Sequence, residues 1–194
     1  MNFTFSTHII LESRSLRLEP LQLKDIDNLL NIATEDPTLL QFSPKQIYTK
    51  DLLSEYIHTA IELRNIQTRY SFSIFSKNNN CYVGSTAFLN VSNADDRLEI
   101  GATWIGKAFQ GSGLNGECKN LLLQYAFDSL NAHRVEFKTD ERNIQSRKAI
   151  EKIGGKFEGI LRGHTLMSDG FRRNTFCYSI LKSEWNQLRK PINE

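Results

Sequence analysis

Gln110-Gly111-Ser112-Gly113-Leu114-Asn115-Gly116 sets three glycines where one periodicity gives way to another. Upstream, residues 97–105 read as a strand. Downstream, Cys118, Leu121, Leu122, Tyr125, Ala126 and Leu130 recur at helical spacing across residues 116–130. A strand that passes through a glycine turn into a helix leaves consecutive backbone N–H groups free to converge on one anion, and the helix adds its positive end. A pyrophosphate suits such a turn without any basic side chain.

Working outward, Leu16, Leu18 and Leu21 alternate around Arg17 and Glu19, which predicts a strand closed by Pro20. Ile26, Leu29, Leu30 and Ala33 predict a helix over residues 24–33, stopped by Asp36-Pro37, and the chain to Lys50 reads as irregular. The pairs Leu52/Leu53, Tyr56/Ile57 and Ala60/Ile61 draw an apolar stripe on a second helix over residues 51–66. Residues 70–76 and 82–91 predict a hairpin across an asparagine-rich turn. After the central helix come a strand at 133–139, a helix at 143–153 ended by Gly154-Gly155, and a hairpin of 156–167 with 175–181 across Ser168-Asp169-Gly170. No repeat or linker interrupts this order, so residues 1–194 are expected to form one domain.

The chain has 194 residues, is 40% hydrophobic and carries a formal net charge of +2. That balance offers no electrostatic case for nucleic acid or an anionic membrane surface. Three scattered cysteines, Cys81, Cys118 and Cys177, read as buried thiols rather than disulfides or a metal cluster. With no apolar run of about 18 residues and no basic-then-apolar leader, a cytoplasmic location is expected. No heptad settles oligomeric state, and a homodimer is left open.

The glycine run also fits the dinucleotide fingerprint G-x-G-x-x-G, with Glu136 about 20 residues on, where a ribose-binding acid belongs. Against that rival, an oxidoreductase, residues 106–110 intervene between strand and glycines. About a hundred residues of helices and antiparallel-looking strands also precede the turn, leaving too little chain for a doubly wound sheet.

Several stretches together resemble the GNAT acetyltransferases, in the branch of RimJ/RimL-like ribosomal-protein-alanine acetyltransferases. They are Leu16-Arg17-Leu18 with Pro20, Glu99-Ile100-Gly101 with Trp104-Ile105, and Gln110-Gly111-Ser112-Gly113 with Glu117. Asn143 with Ser146, then Glu151-Lys152-Ile153-Gly154, follow in the same order, as do Glu158-Gly159-Ile160-Leu161-Arg162, Asp169-Gly170 and Tyr178-Ser179. The resemblance implies an α+β fold: a bent mixed α/β sheet of about seven strands, flanked by about four helices. Two parallel strands, 97–105 and 133–139, would splay to admit the pantetheine arm of acetyl-coenzyme A beside Thr103, Trp104 and Ile105. Residues 110–116 would hold the pyrophosphate, with Lys148 in reach of a phosphate; no metal is implied. Asn115 departs from the family's glycine or alanine at that position, but asparagine tolerates left-handed backbone.

Acetyl transfer from a thioester needs a neutral amine, a stabilised oxyanion and a proton for the departing thiolate. Glu99 is the candidate base, set against an ordinary solvent-facing strand glutamate. A strand bulge near residues 103–105 would free a backbone donor for the oxyanion. Many superfamily members place a proton-donating tyrosine where this chain has Ile150. The resemblance substitutes Ser146 and gives Asn143 a hydrogen bond to the arm, whereas the residues alone read equally as an N-cap and a first-turn serine. Ile150 keeps open a module that binds acyl-coenzyme A without transfer. The acceptor region, residues 36–66 and 162–173, carries His58, His164, Arg162, Arg172 and Arg173 without ligand spacing. A peptide or protein N-terminal amine is expected there, with a small amine close behind.

Overall fold

The computed structural model describes residues 1–188, so the end of the expected domain, 189–194, lies outside the described residues. Chain order runs β1 (Leu11–Glu12), β2 (Leu16–Pro20), α1 (Asp25–Thr34), α2 (Lys50–Asn65), β3 (Arg69–Ser76), β4 (Cys81–Ser92) and β5 (Arg97–Ile105). After the glycine turn come α3 (Leu114–Gln124), β6 (Arg134–Asp140), α4 (Ile144–Lys152), β7 (Lys156–Leu166), β8 (Arg172–Leu181) and α5 (Lys182–Leu188). The strands form one sheet in the order β1-β2-β3-β4-β5-β6-β8-β7, antiparallel throughout except between β5 and β6. A single parallel pair is not the doubly wound sheet of a dinucleotide-binding domain. Glu136, the acid that rival needs, sits within β6 and accepts from Arg134 Nε at 3.0 Å.

Alternation along the strands sends apolar side chains to two separate cores. Leu18, Phe72, Ile100, Phe137 and Ile180 meet Leu122 of α3, Ile150 of α4 and Trp185 of α5 on one face. On the other, α1 and α2 lay Leu29, Leu53 and Ile57 against Trp104 of β5. The stripe foreseen on the second helix is the buried face of α2, whose start is capped by Thr49 accepting from Leu52 N–H.

Four details differ from expectation. The helix expected at 116–130 starts two residues earlier, because Gly113 takes the N-cap position with φ +92°, and it ends in a π-helical turn at Tyr125–Ser129. Strand β1 is only two residues long and has too little pattern to read. Helix α5 follows β8 without a break, held by Trp185, which stacks on Phe127 at 5.6 Å. Of the three free cysteines only Cys118 is buried; Cys81 and Cys177 are half-buried.

The pairing of β5 with β6 covers only Arg97↔Arg134, Leu98↔Val135 and Glu99↔Glu136. From Ile100 and Phe137 onward the strands part, β5 following β4 to Ile105 and β6 following β8 to Asp140. A wedge therefore opens inside the sheet, at the strands named from sequence.

Candidate active site

The turn that leads out of the wedge is shaped by two left-handed glycines, Gly111 at φ +77° and Gly113 at φ +92°. Gln110 ties it to the strand, its Nε2 donating to Ile105 O at 3.1 Å, and Ser112 Oγ donates to Phe109 O at 2.6 Å. Ser13 and Ser15 both donate to Glu117, which fixes the first turn of α3 against β2. The N–H groups of residues 111–116 find no acceptor among the described residues; the first helical bond is Glu117 N to Gly113 O at 3.1 Å. A Cβ at Gly111, Gly113 or Gly116 would meet nothing within 4 Å. At Gly116, where φ is also ordinary, the protein itself does not explain the glycine. An anion drawn close to six free donors fits it.

Inside the wedge, β5 carries an extra residue. Gly101 pairs with Ala87 and Trp104 with Ser85, so Ala102 and Thr103 together face Thr86, and Ala102 adopts φ +47°. This is a β-bulge, and it releases main chain from the β4 ladder at the point where β6 has already turned away. Thr103 Oγ1 hydrogen-bonds Thr86 Oγ1 at 2.8 Å. The side chains of Trp104 and Ile105 are buried in the two opposite cores, so these residues offer main chain to the wedge.

Glu99 stands at the last paired position before the strands part. It is 6% exposed, which removes the solvent-facing alternative. Asn90 Nδ2 at 2.8 Å and Lys138 Nζ at 2.7 Å both donate to Oε2, leaving Oε1 without a partner among the described residues. Asn90 reaches it from a second bulge, in β4, at φ +48°. Burial opposes the Lys138 ammonium, but the hydrogen bond and charge of Glu99 outweigh it and hold its pKa above the ordinary lysine range. Sequence reading missed Asn90 and Lys138, because neither carries a motif; only the registers of β4 and β6 bring them to Glu99.

Asn143 is the N-cap of α4, its Oδ1 accepting from Ser146 N–H at 2.9 Å. The capping geometry leaves Asn143 Nδ2 and Ser146 Oγ with no partner among the described residues. Asn143 and Gln110 line one pocket of about 290 Å³, to which Asp36, Leu39 and Phe42 from the loop between α1 and α2 also contribute. Lys148 is exposed on α4, and Ile150, 2% exposed, packs in the core, so no hydroxyl stands at that position.

The sheet face toward α1 and α2 gathers charges from distant segments. Arg173 of β8 is half-buried and donates to Phe42 O at 2.9 Å, while its Nε has no partner among the described residues. Asp140 accepts from Arg142 Nε at 3.0 Å and Nη2 at 2.7 Å, and the guanidinium stacks 4.2 Å from the Phe171 ring centroid. Burial pushes the Asp140 carboxyl up, but Arg142 outweighs it and holds its pKa below the ordinary aspartate range. His58, His164, Arg162 and Arg172 are exposed and stand outside this group. Among the described residues no group of three His, Cys, Asp or Glu could hold a metal ion, and no helix is long and apolar enough to cross a membrane.

A mixed sheet parted at its one parallel pair, beside a glycine turn that opens a helix, defines the architecture of an N-acyltransferase. Residues 15–156 match the family model described as "Acetyltransferase (GNAT) domain". The chain belongs to the GNAT acetyltransferase family, whose members use acetyl-coenzyme A as cosubstrate. It is 26% identical over 157 residues to the Bacillus subtilis (strain 168) protein named "Probable N-acetyltransferase YjcK", covering 79% of this chain and 87% of that one. Over 102 residues it is 34% identical to "Putative ribosomal N-acetyltransferase YdaF" of the same organism, 53% of this chain and 55% of the relative. Among solved structures, a GCN5-related N-acetyltransferase from Brucella melitensis superposes with a TM-score of 0.88 at 27% identity, covering 95% of this chain and 84% of that chain.

Proposed function

We propose that this protein moves the acetyl group of acetyl-coenzyme A to the N-terminal amine of a peptide or protein, by direct transfer within the wedge. The observation that carries this reading is the coincidence of six free amides at 111–116 with a bulge at the mouth of the parted strands. The amides suit the pyrophosphate, and the main chain of residues 102–105, unpaired toward β6 and bulged from β4 at 102–103, suits both the pantetheine arm and the developing oxyanion. Kinship to a protein named as a ribosomal N-acetyltransferase supports a protein acceptor.

A peptide α-amine, with a pKa of about 7.7–8.0, is still mostly protonated at pH 7 and must lose a proton before its nitrogen attacks the thioester carbon. Glu99 Oε1 takes that proton, directly or through water, while Lys138 balances the carboxylate charge. The N–C bond forms to give a tetrahedral intermediate, the C–S bond breaks as the thiolate takes a proton from Ser146 Oγ, and the proton still carried by the nitrogen passes to the serine oxygen, directly or through water, restoring the hydroxyl. Asn143 Nδ2 holds the arm, and Lys148 stands near its phosphates.

Thiol release from acetyl-coenzyme A at pH 8, read separately against N-terminal peptides, polyamines and aminoglycosides, tests the reading. Release confined to the peptide pool, and reduced roughly tenfold or more by Ser146→Ala, is expected. Release confined to a small-amine pool would replace the acceptor. Tight coenzyme A binding with no release in any pool would make the chain an acyl-coenzyme A sensor.

A further inference from the structure

Lys119 is 7% exposed, yet it makes no hydrogen bond or ion pair among the described residues. Its ammonium lies 5.4 Å from the ring centroid of Phe137, and that contact is its only one of note. Burial of the side chain pushes its pKa down, while the Nζ at its tip keeps access to solvent and so is open to a ligand. Nothing about packing demands a lysine here, since its neighbours in α3, Cys118, Leu121 and Leu122, are ordinary core residues.

Its position is more telling than its burial. Phe137 is the first residue of β6 beyond the last pair with β5, so the ammonium sits at the apex of the wedge. One helical turn earlier on the same face of α3 lies Asn115, whose Oδ1 is buried without a partner among the described residues. Four residues of helix separate the two side chains by about 6 Å along the axis. One group requires an acceptor and the other a donor. A phosphate satisfies only the first, whereas a chain of amides satisfies both.

We propose that Lys119 positions the cosubstrate: its ammonium donates to a carbonyl oxygen of the pantetheine arm, while Asn115 Oδ1 accepts from an amide N–H of the same arm. The arm carries two amides separated by a two-carbon unit, a spacing that matches one helical turn. This inference rests on the acetyl-coenzyme A reading above and assigns α3 side chains, not only its N-terminus, to the ligand.

Titration calorimetry with coenzyme A, and with 3′-phosphoadenosine 5′-diphosphate, which keeps the phosphates and lacks the arm, tests it. Lys119→Met should weaken coenzyme A by about tenfold or more, leave the nucleotide within about twofold, and melt no lower than wild type. Asn115→Ala, near the exposed start of the helix, should show the same selectivity with a smaller loss. Equal affinity for coenzyme A in both variants, or a parallel loss of both ligands, would overturn the proposal. Failure of the wild-type protein to bind coenzyme A at all would instead remove the reading beneath it.

Discussion

On the α3 side of the wedge, the free donors are main-chain amides from six successive residues, fixed by two glycine dihedrals and one glutamine side chain. On the α1–α2 side, the polar groups come from β4, β5, β6 and β8, with Asn90, Glu99, Lys138, Asp140 and Arg173 brought to one face by strand register. The first region depends mainly on backbone shape, with the proposed contacts of the Asn115 and Lys119 side chains added to it. The second depends on side-chain identity and on every register between β4 and β8. Substitutions should therefore separate binding on one side from turnover on the other.

The largest separation is expected at Glu99. Glu99→Gln should lower kcat by about 100-fold or more while leaving the Kd for coenzyme A unchanged, by steady-state kinetics beside calorimetry. A fall in affinity instead of kcat would place Glu99 outside the proton path. Next is Gly113→Val, which forces a β-branched residue to φ +92° and brings methyl groups toward the amides. Coenzyme A affinity should drop roughly tenfold or more with an intact acceptor face, and unchanged binding would break the contrast.

Asp140→Asn probes the polar face at lower amplitude. With Arg142 partly exposed, the loss should be about 1 kcal/mol at neutral pH, read by chemical unfolding. Because the native pKa of Asp140 is depressed, this contribution is complete above the unfolded value of about 3.9 and fades as pH falls through the native one. The difference between variant and wild type should therefore close in acid, and a gap constant with pH would assign the loss to packing. The smallest effect is at Gly116, where alanine should raise stability by about 0.5–1 kcal/mol and weaken coenzyme A a few-fold. Gain in stability without loss of affinity would show that nothing approaches that position.

Sequence periodicity made most of the elements legible, because the apolar stripes of α2 and α3 and the alternation of β2 reflect burial directly. The turn was legible for the same reason: its glycines have no packing role, and free amides follow from the strand-to-helix junction. Glu99, Asn143 and Ser146 came through family resemblance, and their neighbours did not. Lys138 and Asn90 carry no local signal, since each acquires its meaning from a partner 39 or 9 residues away along the chain. Lys119 breaks the apolar stripe of α3, a sign visible in the sequence that spacing alone read as part of a helix.

Three residue pairs are all that join β1–β5 to β6–β8 through the sheet. Mechanically the fold is two slabs on a short seam, with the remaining edges, 100–105 and 137–140, facing each other unzipped. An arm lying between them would act as a ninth, borrowed strand. Saturation at a hundredfold above Kd should then add about 2.7 kcal/mol to the whole fold and slow amide exchange along both edges at once, turning the cosubstrate into a structural rivet.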